Sequence, residues 1–275
     1  MTESTRRHER IDAKKEFAGV NFKIENLLPK PIEVFLPQKS TSAVEIDLLI
    51  HFLGANYVVQ NAAVSYNGDI ATALISLGSG SSVFNNAFVD TTMFPGLLDS
   101  LHAALQARLD HPVKFRRLYL SGFSAGYGAI RRILSSSKNY DLVDGVLLLD
   151  GIHASYVPER KVLAEGGRVD SNHLETFLKL AADASRESSR KRFLITHSEI
   201  FPGTFVSTTE STDFLLNRLE IKRTPLLQWG PLGMQQLSEA RAGHFLVMGF
   251  AGNAAQDHVD HLQSLFFFLN LLSTL

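Results

Sequence analysis

The chain has 275 residues and not one cysteine, so disulfides, thiolate metal ligands and a cysteine nucleophile are excluded at the outset. A charge excess of either sign is missing too: 27 Lys and Arg face 28 Asp and Glu, for a net charge of -1. That balance provides no electrostatic footprint for nucleic acid or for an anionic membrane surface. Nor does any uncharged stretch approach the ~20 apolar residues of a membrane span, the longest apolar run being Leu265 to Leu269. The charged start, "MTESTRRHERIDAKKEF", has Arg6-Arg7 but no apolar segment behind it. Residues 1–19 therefore read as a solvated tail without a signal peptide, and a cytoplasmic location is the default expectation.

What is present suits a globular core, with 45% hydrophobic and 20% charged residues. Residues 20–275 contain no internal repeat, low-complexity segment or dividing linker, which predicts one domain. Asn21 to Asn26 and Pro31 to Leu36 alternate around "LLPKP" and read as a hairpin. "AVEIDLLIHFLG" (43–54), "IATALISLGSG" (70–80), "KFRRLYLSGF" (114–123), "VDGVLLLDG" (143–151), "RFLITHSEI" (192–200) and "HFLVMGFAG" (244–252) are near-continuous apolar runs, the pattern of strands buried on both faces. Segments at helical spacing alternate with them, at 94–109, 125–137, 174–187, 211–220 and 257–272. The fold class this predicts is α/β, a doubly wound, mostly parallel sheet with helices on both sides. The polar stretch 152–173 is too long for an ordinary connection and reads as a cap or active-site loop.

In "YLSGFSAGYGAIRRIL" (119–134), Ser124 stands between Gly122 and Gly126, where an apolar strand turns into a helix. A turn that tight strains the serine backbone and crowds the residues two away on each side, which glycine relieves. The hydroxyl is left exposed at the carboxyl end of a strand, where ligands bind in such sheets. The N–H groups of the following helix start there as well, placed to stabilise an oxyanion.

On these residues and this alternation the chain resembles the α/β-hydrolase superfamily across nearly all of 20–275. The resemblance implies a serine hydrolase cleaving a carboxylic ester through an acyl-enzyme on Ser124, with no metal or cofactor and a small-molecule ester as substrate. A serine hydroxyl needs a histidine to take its proton and an acid to orient that histidine. The family's chain order, serine then acid then histidine, directs attention to "NAAQDHVDHLQSL" and to His258, with His261 three residues on as its alternative. Family members usually carry the acid after the strand that here is "RFLITHSEI", which offers Glu199, and a minority carry it one strand earlier, where "LLLDGIH" offers Asp150. Both stay open, and His197 and His153 stand beside the two candidates. The resemblance places one oxyanion donor on Ala125 and the other in "HFLGAN", on Leu53, Gly54 or Ala55.

An amidase or peptidase would use the same triad, and a non-catalytic binding protein could share the fold. Metal chemistry is not expected, because there is no H-E-x-x-H and the two Asp-His pairs at 257–261 form no recognised ligand spacing. The glycine-rich "LGSGSSVFNNAF" is followed by no GKS or GKT and so is no phosphate loop.

Overall fold

Period-two alternation on either side of "LLPKP" produces the first hairpin: β1 (Gly19–Ile24) and β2 (Ile32–Pro37) pair antiparallel, with Val20 opposite Leu36 and Phe22 opposite Val34. The computed structural model describes residues 8–275, so the first part of the charged tail lies outside the described residues. The next apolar runs form β3 (Glu45–Phe52), β4 (Ile70–Ile75), β5 (Lys114–Phe123) and β6 (Gly145–Leu149). All six residues of β4 and all five of β6 are buried, which explains why these segments lack the alternation of a half-exposed strand.

Between them lie α1 (Asn56–Ser65), α2 (Ser81–Ala87), α3 (Met93–Gln106), α4 (Tyr127–Leu134) and α5 (Ser137–Leu142). The later half adds β7 (Tyr156–Val157), β8 (Arg168–Val169), α6 (Glu175–Ala184), β9 (Arg192–His197) and α7 (Thr208–Arg218). It continues with β10 (Thr224–Trp229), β11 (Gln235–Ala242), β12 (Phe245–Phe250), α8 (Ala255–Gln263) and α9 (Leu265–Thr274). The main sheet has ten strands in the order β1-β2-β4-β3-β5-β6-β9-β12-β11-β10. It is mostly parallel through its centre and antiparallel at both ends, with helices between the central strands, which is the fold class the alternation predicts.

The chain divides into two compact units, and the division falls inside β6 between Leu147 and Leu148. The first unit holds Ile11–Leu147 and Leu265–Thr274. In it β3 runs parallel to both β4 and β5, which brings Phe52 level with Gly122 at the strand ends. The interior of this unit includes a charged group: the fully buried Asp47 side chain accepts from Arg116 Nε (2.9 Å), Arg117 Nη2 (2.8 Å) and the Tyr66 hydroxyl (2.6 Å). Burial alone would raise the Asp47 pKa, but these donors hold it below the ordinary value.

The second unit holds Leu148–Ser264, with the described residues before Ile11 and with Leu275. There β9 and β12 are parallel, while β12, β11 and β10 form an antiparallel ribbon. Phe193 stacks between Phe177 and Phe245, with ring centroids 6.1 and 5.3 Å apart, and anchors α6 to the sheet. The long polar stretch after β6 is built around the small antiparallel pair of β7 and β8.

Candidate active site

Residues 124–126 form a single 3-10 turn between β5 and α4, and Ser124 sits there in the left-handed region at φ 49°. A non-glycine residue holds that conformation only when its surroundings enforce it. The residues two away on either side of it are closely approached by backbone. A Cβ on Gly126 would stand 2.2 Å from the Phe52 carbonyl oxygen, and one on Gly122 would stand 3.0 Å from the Gly126 carbonyl carbon. Gly126 has no room for a side chain, and at Gly122 one would fit only if its neighbours gave way by a few tenths of an ångström. Ser124 and Ala125 are half-exposed although Phe123 and Gly126 beside them are buried.

The loop after β3 belongs to the same unit as this turn. Leu53 also has positive φ, at 66°, and its N–H donates to the Ile75 carbonyl (3.0 Å). The Gly54 N–H donates to Ser76 Oγ (3.2 Å). Two of the three predicted donors are thus engaged by the end of β4 and the residue after it. Ala55 immediately precedes α1, at the helix start where amides have no intrahelical acceptor. The loop is tied down from below by His51, whose Nε2 donates to the Leu53 carbonyl (3.2 Å) while Nδ1 lies 3.0 Å from the Ser121 hydroxyl. Burial pushes the His51 pKa down to about 4, so the ring is neutral and Nδ1 accepts from Ser121.

In the second unit, Asp150 follows β6 at φ 44° and is almost fully buried. Its Oδ2 lies 2.7 Å from His258 Nδ1, and that histidine occupies the first turns of α8. The same carboxylate accepts from Ser198 twice, Oδ1 from the backbone N–H at 3.0 Å and Oδ2 from Oγ at 2.6 Å. Burial alone would raise the Asp150 pKa. His261, His258 and Ser198 outweigh it and hold the carboxyl far below the usual carboxylate range. An ionised Asp150 fixes the proton of His258 on Nδ1 and leaves Nε2 as the basic nitrogen.

The other predicted residues lie elsewhere in this unit. Glu199 turns back on the loop after β12 and accepts from the Gly252 N–H (3.3 Å). His261 lies inside α8's buried face, with Nδ1 2.7 Å from Thr196 Oγ1 and its ring edge-on to Phe250. Burial brings its pKa down to about 4. His153 donates to the Val206 carbonyl (3.0 Å) and stacks edge-on against Phe205. Ser198 was not singled out by sequence reasoning; its only signal is its place beside Glu199 in "THSEI". His8, Asp257 and Asp260 have potential ligand atoms within 4.8 Å of one another, but the Arg10 guanidinium pairs with Asp260 and already supplies a cation there.

No family model matches the chain, and no curated protein matches it in sequence. Solved structures do match its fold. An S-formylglutathione hydrolase from Agrobacterium tumefaciens is similar at TM-score 0.53 and 11% identity, over 95% of this chain and 97% of that one. Carboxyl esterase 2 from the mycorrhizal fungus Tuber melanosporum gives TM-score 0.51 at 13% identity, over 95% and 88%. An arylesterase gives 0.50 at 13% identity, over 95% and 88%. The strand order and these likenesses give the chain the α/β-hydrolase fold.

Proposed function

We propose that the protein is a serine hydrolase that cleaves carboxylic esters of small molecules, with Ser124 as nucleophile, His258 as general base and Asp150 as the orienting acid. The observation that carries the reading is the backbone of Ser124, at φ 49° between a glycine with no space for a side chain, Gly126, and one with little, Gly122. Strain of that kind is kept where it exposes a reactive group. The Asp150–His258 pair at 2.7 Å supports it by supplying an imidazole of fixed tautomer. Ester as the bond class follows the printed names of the arylesterase and the carboxyl esterase that share the fold.

In this mechanism Ser124 Oγ attacks the acyl carbonyl as its proton passes to His258 Nε2. The carbonyl oxygen becomes an oxyanion, accepting from the N–H groups of Ala125 and Ala55, the latter chosen because Leu53 and Gly54 are engaged elsewhere. Collapse of the intermediate breaks the bond to the alkoxy oxygen, which leaves as the alcohol with the proton from His258. Water then repeats the sequence on the acyl-enzyme, releasing the acid and restoring Ser124. Asp150 stays ionised throughout and stabilises the transient imidazolium.

Labelling with a fluorophosphonate and hydrolysis of p-nitrophenyl esters of graded chain length test the proposal. Ser124→Ala should abolish labelling and lower turnover by ~10⁶. A folded Ser124→Ala protein with near-normal turnover would overturn it.

A further inference from the structure

The glycine-rich stretch after β4, "SLGSGSSVF" (76–84), opens with a hydroxyl that bonds twice to one residue of the loop after β3. Ser76 Oγ accepts from the Gly54 N–H (3.2 Å) and donates to the Gly54 carbonyl oxygen (3.2 Å). The roles are fixed, because an amide N–H only donates and a carbonyl oxygen only accepts. Ser76 is half-buried and lies in the same unit as this loop and as Ser124.

The two bonds act on successive peptide planes. The Gly54 N–H belongs to the Leu53–Gly54 peptide, whose carbonyl already accepts from His51 Nε2 (3.2 Å), so that plane is held at both ends. The Gly54 carbonyl belongs to the next peptide, and the far end of that plane is the Ala55 N–H. Peptide groups are planar, and in the trans form the N–H points opposite to the carbonyl. A bond that fixes the Gly54 carbonyl therefore fixes the direction of the Ala55 N–H. Such a restraint is needed here, because glycine has no Cβ to limit rotation of the plane that follows it. Donation to the carbonyl also polarises the amide and strengthens its N–H as a donor. Among the described residues the Ala55 N–H has no hydrogen bond of its own.

The same stretch also grips the helix behind the serine turn. The Tyr127 hydroxyl donates to Ser81 Oγ (3.2 Å), and a Cβ on Gly128 would stand 2.2 Å from the Ser81 carbonyl oxygen. Tyr127 and Gly128 open α4, immediately after Ala125 and Gly126. One loop thus braces the two segments that carry Ala55 and Ala125.

We propose that Ser76 is a positioning residue for the oxyanion, its hydroxyl aiming the Ala55 N–H by holding the Gly54 carbonyl, an inference that rests on the serine-hydrolase mechanism above. The experiment compares wild type, Ser76→Ala and Ser76→Thr in hydrolysis of p-nitrophenyl acetate, with rates counted per fluorophosphonate-reactive site. Each protein is also inhibited with phenylboronic acid, whose boron takes an electron pair from a serine oxygen and so mimics the tetrahedral intermediate. Losing an oxyanion donor outright costs ~10²–10³ in kcat, so losing its alignment in Ser76→Ala should cost about tenfold or more. KM should stay within about threefold, and phenylboronic acid should weaken by about the factor lost in kcat/KM. Ser76→Thr keeps the hydroxyl and should recover most of both. If Ser76→Thr fails to fold, Ser76→Ala alone decides. A purely structural Ser76 would lower the urea midpoint and leave kcat per reactive site and boronate affinity unchanged, which would overturn the inference while the Ser124 mechanism stood. A loss confined to KM would overturn it as well. Normal turnover in Ser124→Ala would remove the mechanism and this inference together.

Discussion

Ser198 donates twice to Asp150, from its backbone N–H at 3.0 Å and from its hydroxyl at 2.6 Å. The segment after β9, where hydrolases of this fold usually carry their acid, thus provides donors to a carboxylate that comes from the end of β6. Those bonds add to the pull of His261 and His258 that keeps Asp150 ionised, and Oδ2, which takes the Ser198 hydroxyl, is also the oxygen 2.7 Å from His258 Nδ1.

The first prediction rests on that arrangement. Asp150→Asn should lower turnover of a p-nitrophenyl ester by ~10⁴, by analogy with the acid-to-amide change in serine proteases. Glu199→Gln should leave turnover within a few-fold, because the amide oxygen can still accept from the Gly252 N–H. Steady-state kinetics on the two folded variants decides between the carboxylates, and the reverse ranking would return the role to Glu199.

His258→Ala should be nearly as damaging to turnover as the loss of Ser124. His261→Ala should act chiefly on stability, because His261 is packed against Phe250 and bonded to Thr196. The expected cost is about 2–4 kcal/mol for the emptied space and the broken hydrogen bond. Urea unfolding read beside esterase rates separates the two effects.

Gly126→Ala should be far worse than an ordinary glycine replacement. Its methyl would stand 2.2 Å from the Phe52 carbonyl oxygen, so either β3 or the serine turn must shift. The expected loss is about 2 kcal/mol or more of stability, together with loss of fluorophosphonate labelling. A stable, fully labelled Gly126→Ala protein would show that the serine turn needs no such close approach.

Stability should fall on acidification from about pH 6.5 to 4. His51, His197 and His261 are buried with pKa values of about 4, whereas an unfolded histidine titrates near ~6.5. Between these limits the unfolded chain binds more protons, so unfolding becomes easier as pH drops, by on the order of a few kcal/mol per residue. Below about pH 4 the depressed carboxyls of Asp47 and Asp150 push in the same direction, since each contributes stability only while ionised. The urea midpoint measured against pH checks this, and a flat profile down to pH 4 would contradict it.

The central strands were legible because they are buried on both faces, so β4 and β6 read as plain apolar runs. The ribbon of β10 and β11 was not. Its residues, "TPLLQW" and "QQLSEARA", are largely exposed or half-exposed, and edge strands need no apolar pattern to pair. The candidate site divides along the same line. Gly122 is crowded by Gly126 and Tyr127, within a few residues, and such a local demand leaves a mark in sequence, whereas the demand on Gly126 comes from Phe52, distant in the chain. Which carboxylate meets His258 depends on residues 108 positions apart, and no neighbouring residue in either "LLLDGIH" or "THSEI" records the choice.

The close approach of Gly126 to Phe52 bears on how this chain can change over generations. The contact is between main chains, so the spacing of the serine turn from the loop after β3 owes nothing to the identity of the half-exposed side chains around it. Mutations that reshape those surroundings can alter which molecules are accepted without disturbing that spacing. Heritable variation in substrate preference is thereby uncoupled from variation in the geometry of the turn, and a lineage can explore the first while conserving the second.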